Sequence, residues 1–132
     1  MNILNGKIAT IKTKGSLSLV KINVNGIFLN TIIIETPKTA SYLKQGNPIK
    51  VVFKETEVII GKGTTQNLSL QNKVIGTILE IEKGDFLSKI TIDSEVGKIV
   101  VIITTGAVEE LQLTLNDKVT AMMQTTEIML SE

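Results

Sequence analysis

The residues from Thr104 to Ala107 form a pattern that could bind an anion. Thr104 and Thr105 stand at the predicted start of a short helix, and Gly106 follows them. The first N–H groups of a helix have no partner within the helix and point outward, where they can donate to an anion. Gly106 would let a ligand approach the backbone closely. An ordinary capped helix has the same pattern, so both interpretations stay open at this point.

A weaker candidate is the turn at Lys83 and Gly84, which is repeated at Lys14 and Gly15. Both pairs lie between predicted strands, and a turn of this kind can point successive backbone N–H groups at an anion. Lysine–glycine pairs are common in hairpin turns, so a purely structural role explains them equally well.

The residue types that the chain lacks exclude several functions. There is no histidine and no cysteine, so imidazole bases, thiolate nucleophiles and the usual zinc, copper and iron ligands are missing. No pair of carboxylates has a catalytic spacing, and we expect neither an enzyme nor direct metal ligands. With 14 basic and 13 acidic residues the net charge is +1, and aromatics are 3%. Nucleic-acid binders normally need a basic excess and stacking rings, so we expect no nucleic-acid partner.

The distribution of apolar residues bears on location. No apolar run is long enough to cross a bilayer, and the start of the chain lacks the pattern of a secretory signal. We therefore expect no membrane partner and a cytoplasmic protein.

The chain repeats itself. Gly6 to Ile8 recurs as Gly76 to Ile78, and Lys54 to Ile60 recurs as Gln124 to Leu130. The numbering offset between the copies is between 68 and 70, and such a repeat indicates duplicated modules. At an offset of 69, Glu35 of the first copy corresponds to Thr104, and a carboxylate there would repel an anion.

Alternating apolar and polar residues predict five short strands in each copy, with one short helix between the third and fourth. In the first copy we expect strands at 7–13, 17–25, 27–34, 48–53 and 57–60, and a helix at 36–43. In the second copy we expect strands at 76–82, 86–93, 98–103, 118–123 and 127–130, and a helix at 107–111. The prediction is an all-β protein of two tandem OB-like five-stranded barrels. The first domain would cover 1–62, a linker 63–70 and the second domain 71–132.

Three motifs of the second copy resemble those of Mop domains, also called molbindins, within the TOBE family. Ser69-Leu70-Gln71-Asn72, followed by Gly76 and then Ile81 to Gly84, resembles the opening Ser-x-Arg-Asn, Gly and Glu-Lys-Gly pattern. Residues 104–111 resemble Thr-x-x-Ser-Val-Glu-Glu-Leu, and residues 126–129 resemble the closing Ala-Thr-Glu-Val-Met. The first copy keeps the spacing and the Lys-x-Thr-Glu-Val ending, so the length resembles that of di-domain molbindins.

The resemblance implies which residues contact the anion. In the family the opening motif supplies contacts across a subunit boundary, which here implies Ser69, Gln71 and Asn72. Gln71 stands where the family commonly has Arg, and Gln124 stands where it has Lys, so weaker binding or a lost function is also possible. The full set of candidate residues is Ser69, Gln71, Asn72, Thr104, Thr105, Gly106, Ala107, Lys54, Thr56, Lys83 and Gly84.

The function implied by the resemblance is a cytoplasmic store or buffer of molybdate or tungstate. At neutral pH molybdate is a doubly charged tetrahedral anion without a proton, so its site needs only hydrogen-bond donors and cations. The anion would be bound without an organic cofactor, at the subunit interfaces of a homotrimer. The alternative is a regulatory ligand-sensing module that acts through a partner protein in molybdate-dependent transcription or transport. Tungstate and sulfate share the tetrahedral shape and double charge of molybdate, so all three anions stay open as ligands.

Overall fold

The computed structural model describes residues 1 to 132 and contains ten strands, one α-helix and one 3-10 turn. The first half contains β1 (Asn2–Lys14), β2 (Leu17–Val24), β3 (Ile27–Ile33), β4 (Pro48–Phe53), the 3-10 turn (Glu55–Glu57) and β5 (Ile59–Lys62). The second half contains β6 (Asn72–Lys83), β7 (Leu87–Ser94), β8 (Gly97–Thr104), α1 (Thr105–Glu110), β9 (Lys118–Met123) and β10 (Met129–Ser131). The strands form two five-stranded sheets, so the all-β prediction with five strands per copy is confirmed.

Strand β2 illustrates how the sequence pattern produces these sheets. Its residues alternate between exposed and buried along the whole strand, because successive side chains of a strand point to opposite faces of the sheet. The strand is followed by Asn25 and Gly26, which have positive φ angles of 53° and 86°. Two such residues fit the tight turn that returns the chain as β3.

The two halves exchange their last strands. One sheet has the strand order β10-β4-β1-β2-β3, and the other has β5-β9-β6-β7-β8. The end of the first half therefore pairs with the second half, as Ile60 lies opposite Ala121. In return Leu130 lies opposite Val51 of the first half. Gly61 and Lys62, at the end of the predicted first domain, are part of the exchanged strand β5. The domain boundaries inferred from the sequence stay a prediction.

The exchange gives the two halves one common core. A single cluster of 26 buried residues draws on both halves and consists mainly of Ile, Leu and Val, with Phe53 as its aromatic member. Burial of apolar surface is the main favourable contribution to folding, so each half depends on the other for stability. The helix of the structure lacks the length and apolar character needed to cross a membrane.

Two asparagines fasten each half to the third strand of the other. The Asn72 amide donates to the backbone oxygen of Asn30 at 2.8 Å and accepts from its N–H at 2.7 Å. The Asn2 amide makes the same pair of hydrogen bonds with Val100, both at 2.8 Å. Both asparagines are buried. Each amide mimics a neighbouring strand over one residue and satisfies backbone groups at the free edge of a sheet.

The strand registers give one constant offset between the copies. Ile8 lies opposite Ile22 in the first copy, and Ile78 lies opposite Ile92 in the second. The residue numbers of these two pairs differ by 70. The same offset relates the pairs between β2 and β3 to the pairs between β7 and β8. The predicted shift to 68 or 69 within the copy is therefore wrong. The counterpart of Thr104 is Ile34, and Glu35 corresponds instead to Thr105.

Only the second copy contains the predicted helix. Helix α1 covers Thr105–Glu110, whereas the expected helix at 36–43 is replaced by turns. The Thr39 hydroxyl accepts a hydrogen bond from the backbone N–H of Thr36 at 2.8 Å. Side-chain bonds of this local kind compete with helix formation, which explains the difference between the copies.

Candidate anion-binding site

A polar cavity of about 290 Å³ lies beside the ends of β6 and β9. Asn72 at the start of β6 pairs with Met123 at the end of β9. The residues just before β6 and just after β9 therefore lie side by side. We call this space the Gln124 cavity, and it is lined by Ser69, Leu70, Gln71, Gln124 and Thr125.

The side chains around the Gln124 cavity suit an anion. Two hydroxyl groups and two amide groups face it, and no carboxylate lines it. Hydroxyl and amide NH₂ groups can donate hydrogen bonds to an oxyanion. No lysine lines it either, so affinity would rest on neutral donors, which form weaker bonds to an anion than charged donors do.

The far wall of the Gln124 cavity is held in place by the first half of the chain. The backbone oxygen of Thr125 accepts from the N–H of Ile32 and from the Thr31 hydroxyl, both at 3.1 Å. The same hydroxyl also donates to the Ile128 oxygen at 2.7 Å. This network fixes the backbone of the turn that carries Gln124 and Thr125, and so fixes one wall of the cavity.

The amide of Asn72, a predicted anion contact, is already engaged in hydrogen bonds within the protein. Asn72 is completely buried, and its amide oxygen and nitrogen are both engaged by the backbone of Asn30. Its neighbour Gln71 is exposed and lines the cavity. Ser69 and Gln71 are thus the opening-motif residues that the structure brings together with Gln124.

The helix end forms a separate group. The Thr104 side chain caps α1 by accepting from the N–H of Ala107 at 3.1 Å. The Thr105 hydroxyl donates to the Gly84 oxygen at 2.8 Å and lies 2.9 Å from the Ser88 hydroxyl. These bonds connect the helix start to the Lys83–Gly84 turn. They account for both threonines structurally, and Gly106 remains exposed beside them.

Lys83 and Gly84 line a second cavity of about 350 Å³, and Glu82 also contributes to it. The Lys83 ammonium lies 3.7 Å from a Glu109 carboxylate oxygen, and both side chains are more than half exposed. An exposed ion pair of this kind contributes little to stability. Lys89 also lines this cavity, but Glu82 and Glu109 lie close to the lysines and offset their charge, whereas no carboxylate lines the Gln124 cavity.

Lys54 and Thr56 lie at the 3-10 turn of the first half, which is the counterpart of the turn at Gln124. Both are exposed. The residue corresponding to Thr125 is Glu55, and its carboxylate oxygen lies 2.7 Å from the Met1 ammonium. That hydrogen bond lowers the pKa of the Glu55 carboxyl. The first half therefore presents a carboxylate where the second half presents a hydroxyl.

The TOBE domain family matches residues 68–130, which include every residue that lines the Gln124 cavity. The second half of the chain is therefore a TOBE domain.

Solved structures similar to this protein include the cytoplasmic molybdate-binding protein ModG, in a crystal form with molybdate bound. The identity is 24% and the TM-score 0.90, with 98% of this chain and 94% of ModG covered. This similarity shows that the tandem fold is shared. MopII from Clostridium pasteurianum is 25% identical, with a TM-score of 0.48 over 50% of this chain and all of its own. A molybdate-binding protein from Sporomusa ovata is 36% identical, with a TM-score of 0.49 over 51% of this chain and all of its own. No curated protein sequence matches the chain.

Sequence reasoning about the TOBE domain missed Thr125. The motifs directed attention to Gln124 and to the Thr126 that opens the closing motif, and Thr125 lies between them. The expected strand end at 123 gave a usable signal. Thr125 comes two residues after the end of β9, and Gln71 comes just before β6, its partner strand. The two residues therefore lie side by side and line the same cavity.

Proposed function

We propose that this protein binds molybdate or tungstate as an intact oxyanion and serves as a cytoplasmic store or buffer. The observation that carries the proposal is the Gln124 cavity, whose polar lining consists only of hydrogen-bond donors and neutral acceptors. The fold shared with the molybdate-binding protein ModG supports it. The chain acts as a binding protein, and no step of the proposal requires catalysis.

The chemistry of the cavity agrees with this role. A tetrahedral dianion carries four acceptor oxygens and no proton, so hydroxyl and amide donors recognise it while a protonated carboxyl is unnecessary. Binding by hydrogen bonds alone leaves the metal–oxygen bonds intact. The anion can then be released by mass action as its free concentration falls, which is what a buffer requires.

We propose further that a second subunit completes the site within a homotrimer. The Gln124 cavity has no cation of its own. At the start of α1 the exposed Gly106 N–H and the Thr104 hydroxyl, which only accepts in the helix cap, supply donors that another copy can bring to this cavity. Many large apolar side chains are exposed, including Ile34 at 79% and Phe86 at 85%, and surfaces of this kind mark protein–protein contacts.

The experiment is a calorimetric titration of the purified protein with molybdate, tungstate and sulfate in parallel. Ser69→Ala should weaken binding by about tenfold, because a hydrogen bond to a charged group contributes roughly 1.5–3 kcal/mol. Ser41→Ala is the matched control, since Ser41 is an exposed serine outside the cavity.

Gln124→Lys tests the same cavity in the opposite direction. A cation at this position should strengthen oxyanion binding by about tenfold or more. Gln45→Lys adds the same charge at an exposed position outside the cavity and should leave the affinity nearly unchanged. Equal effects of the two lysine variants would mean that the anion does not bind in the Gln124 cavity.

A further inference from the structure

A second donor-lined cavity lies on the outer face of the first sheet, and we propose that it is a separate binding site for a small tetrahedral dianion. Its volume is about 280 Å³. We call it the Lys21 cavity, and it is lined by Thr10, Lys12, Leu19, Lys21, Asn30 and Gln71. The proposal goes beyond the function above, because it needs neither the Gln124 cavity nor a second subunit.

The strand register explains why these side chains converge. Thr10 lies opposite Lys21 across β1 and β2, and Lys21 lies opposite Asn30 across β2 and β3. Residues directly opposite each other on one face of a sheet are in contact distance. Lys12, two residues along from Thr10, points to the same face and is the diagonal neighbour of Lys21.

The charges in the Lys21 cavity are unbalanced. Two ammonium groups line it and no carboxylate does. Neither Lys12 nor Lys21 belongs to any of the three ion pairs of the structure. The Lys21 nitrogen is instead 5.8 Å from the centre of the Phe28 ring. Two ammonium groups on neighbouring side chains repel each other, and an anion bound between them would offset that repulsion.

Gln71 closes one side of the Lys21 cavity and also lines the Gln124 cavity. Its position is set by the neighbouring Asn72, whose amide is hydrogen-bonded to the backbone of Asn30. The segment from the second half is therefore fixed against the face that carries the lysines. The amide of Gln71 adds a neutral donor to the two charged ones.

The second half offers a natural comparison. At an offset of 70, Thr10 and Lys12 are replaced by Glu80 and Glu82. Lys89 lies opposite Glu82 and balances one of the two exposed carboxylates, so the corresponding face keeps a net negative charge that repels an anion. We therefore expect one site of this kind in each chain, confined to the first half.

The test is equilibrium dialysis of the full chain against molybdate, sulfate and phosphate, comparing wild type with the double variant Lys12→Gln/Lys21→Gln. The wild type should show two classes of site. The double variant should lose one class, with a drop in that affinity of about tenfold or more, since charged donors bind oxyanions most strongly. Lys44→Gln/Lys98→Gln is the matched control, because it removes the same charge from exposed lysines outside the cavity.

A second variant keeps both lysines. Leu19→Glu places a carboxylate in the Lys21 cavity at a position that is 37% exposed and should abolish the same class of site. Thermal unfolding without anion checks that each variant is folded. Ser69→Ala, in contrast, should weaken only the other class.

Unchanged binding in both Lys21-cavity variants overturns the proposal, and so does an equal loss in the control pair. A single class of site that responds only to Ser69→Ala also overturns it and leaves the proposed function intact. A single class that responds only to the Lys21-cavity variants supports this site and refutes the Gln124 cavity instead.

Discussion

Replacing Asn72 by alanine should destabilise the whole protein, because this side chain fastens the second half to the first. The change removes the hydrogen bond to the Asn30 oxygen and the one from the Asn30 N–H, which measure 2.8 and 2.7 Å. It also leaves these two backbone groups without a partner at a half-buried edge. Asn2→Ala makes the equivalent change at Val100.

The size of the effect follows from these bonds. A hydrogen bond within a protein contributes about 0.5–1.5 kcal/mol, and a buried group left without a partner costs about 1–3 kcal/mol. Both backbone groups can regain part of their hydration at the edge, so we expect a loss of about 2–4 kcal/mol for Asn72→Ala. The loss for Asn2→Ala should be similar. For a domain this size, that is a large share of a free energy of unfolding of about 5–15 kcal/mol.

Urea unfolding measures this prediction. The urea concentration at the unfolding midpoint should fall. The slope of the free energy of unfolding against urea concentration should stay constant, because the surface exposed on unfolding is unchanged. Asn47→Ala is the control, since that amide makes one bond, to the Tyr42 oxygen at 3.0 Å, and should cost about 1 kcal/mol. If Asn72→Ala cost no more than Asn47→Ala, the two halves would not depend on the hydrogen bonds between Asn72 and Asn30. If it weakened anion binding far more than Asn2→Ala did, Asn72 would also act as a ligand.

Three further predictions concern titration, packing and cooperativity. Burial, and then the hydrogen bond to Glu35, raise the pKa of Tyr42 to about 12. A titration followed by the phenolate absorbance of this single tyrosine should give that midpoint in the folded protein and about 10 in urea. Because the folded pKa is the higher one, the free energy of unfolding should hold its contribution from Tyr42 below about pH 10 and lose it as the pH rises towards 12. Gly76→Ala should cost about 1–3 kcal/mol in urea unfolding, because the new Cβ would lie 2.9 Å from the Asp93 oxygen; an unchanged midpoint would contradict this. When the chain is divided at Gly63 into two fragments, circular dichroism should show each fragment largely unfolded alone and folded after mixing. Independent folding of either fragment would contradict the shared core.

The strands could be predicted because their signals are local. The alternation in β2, the turn at Asn25 and Gly26, and the bounds of β4 and β9 all follow from short stretches of sequence. The exchange of β5 and β10 could not be predicted in this way. The two strands end the same repeat, and β4 and β9 are equally alike, so either pairing satisfies the pattern. Only the packing of the whole chain selects between them.

Only part of the candidate site could be predicted from the sequence. Ser69 and Gln71 were identified through the motif that contains them, and the structure places them together. Thr104 and Thr105 have the right residue types, but their hydroxyls are committed to a helix cap and to the Gly84 turn. Residue type cannot reveal such partners, because the Gly84 turn is 21 residues away along the chain.

The strand exchange also has a consequence for how this chain could arise and change. A single repeat whose last strand occupies another copy's sheet cannot complete its own core, so it would exist only as a pair. When the two repeats are joined in one chain, their association is intramolecular and does not depend on protein concentration. Once joined, the copies no longer need identical surfaces, and each can acquire its own charges. Lys12 in one copy and Glu82 in the other occupy the same place in the fold with opposite signs, a difference that a symmetric pair of identical chains could never have.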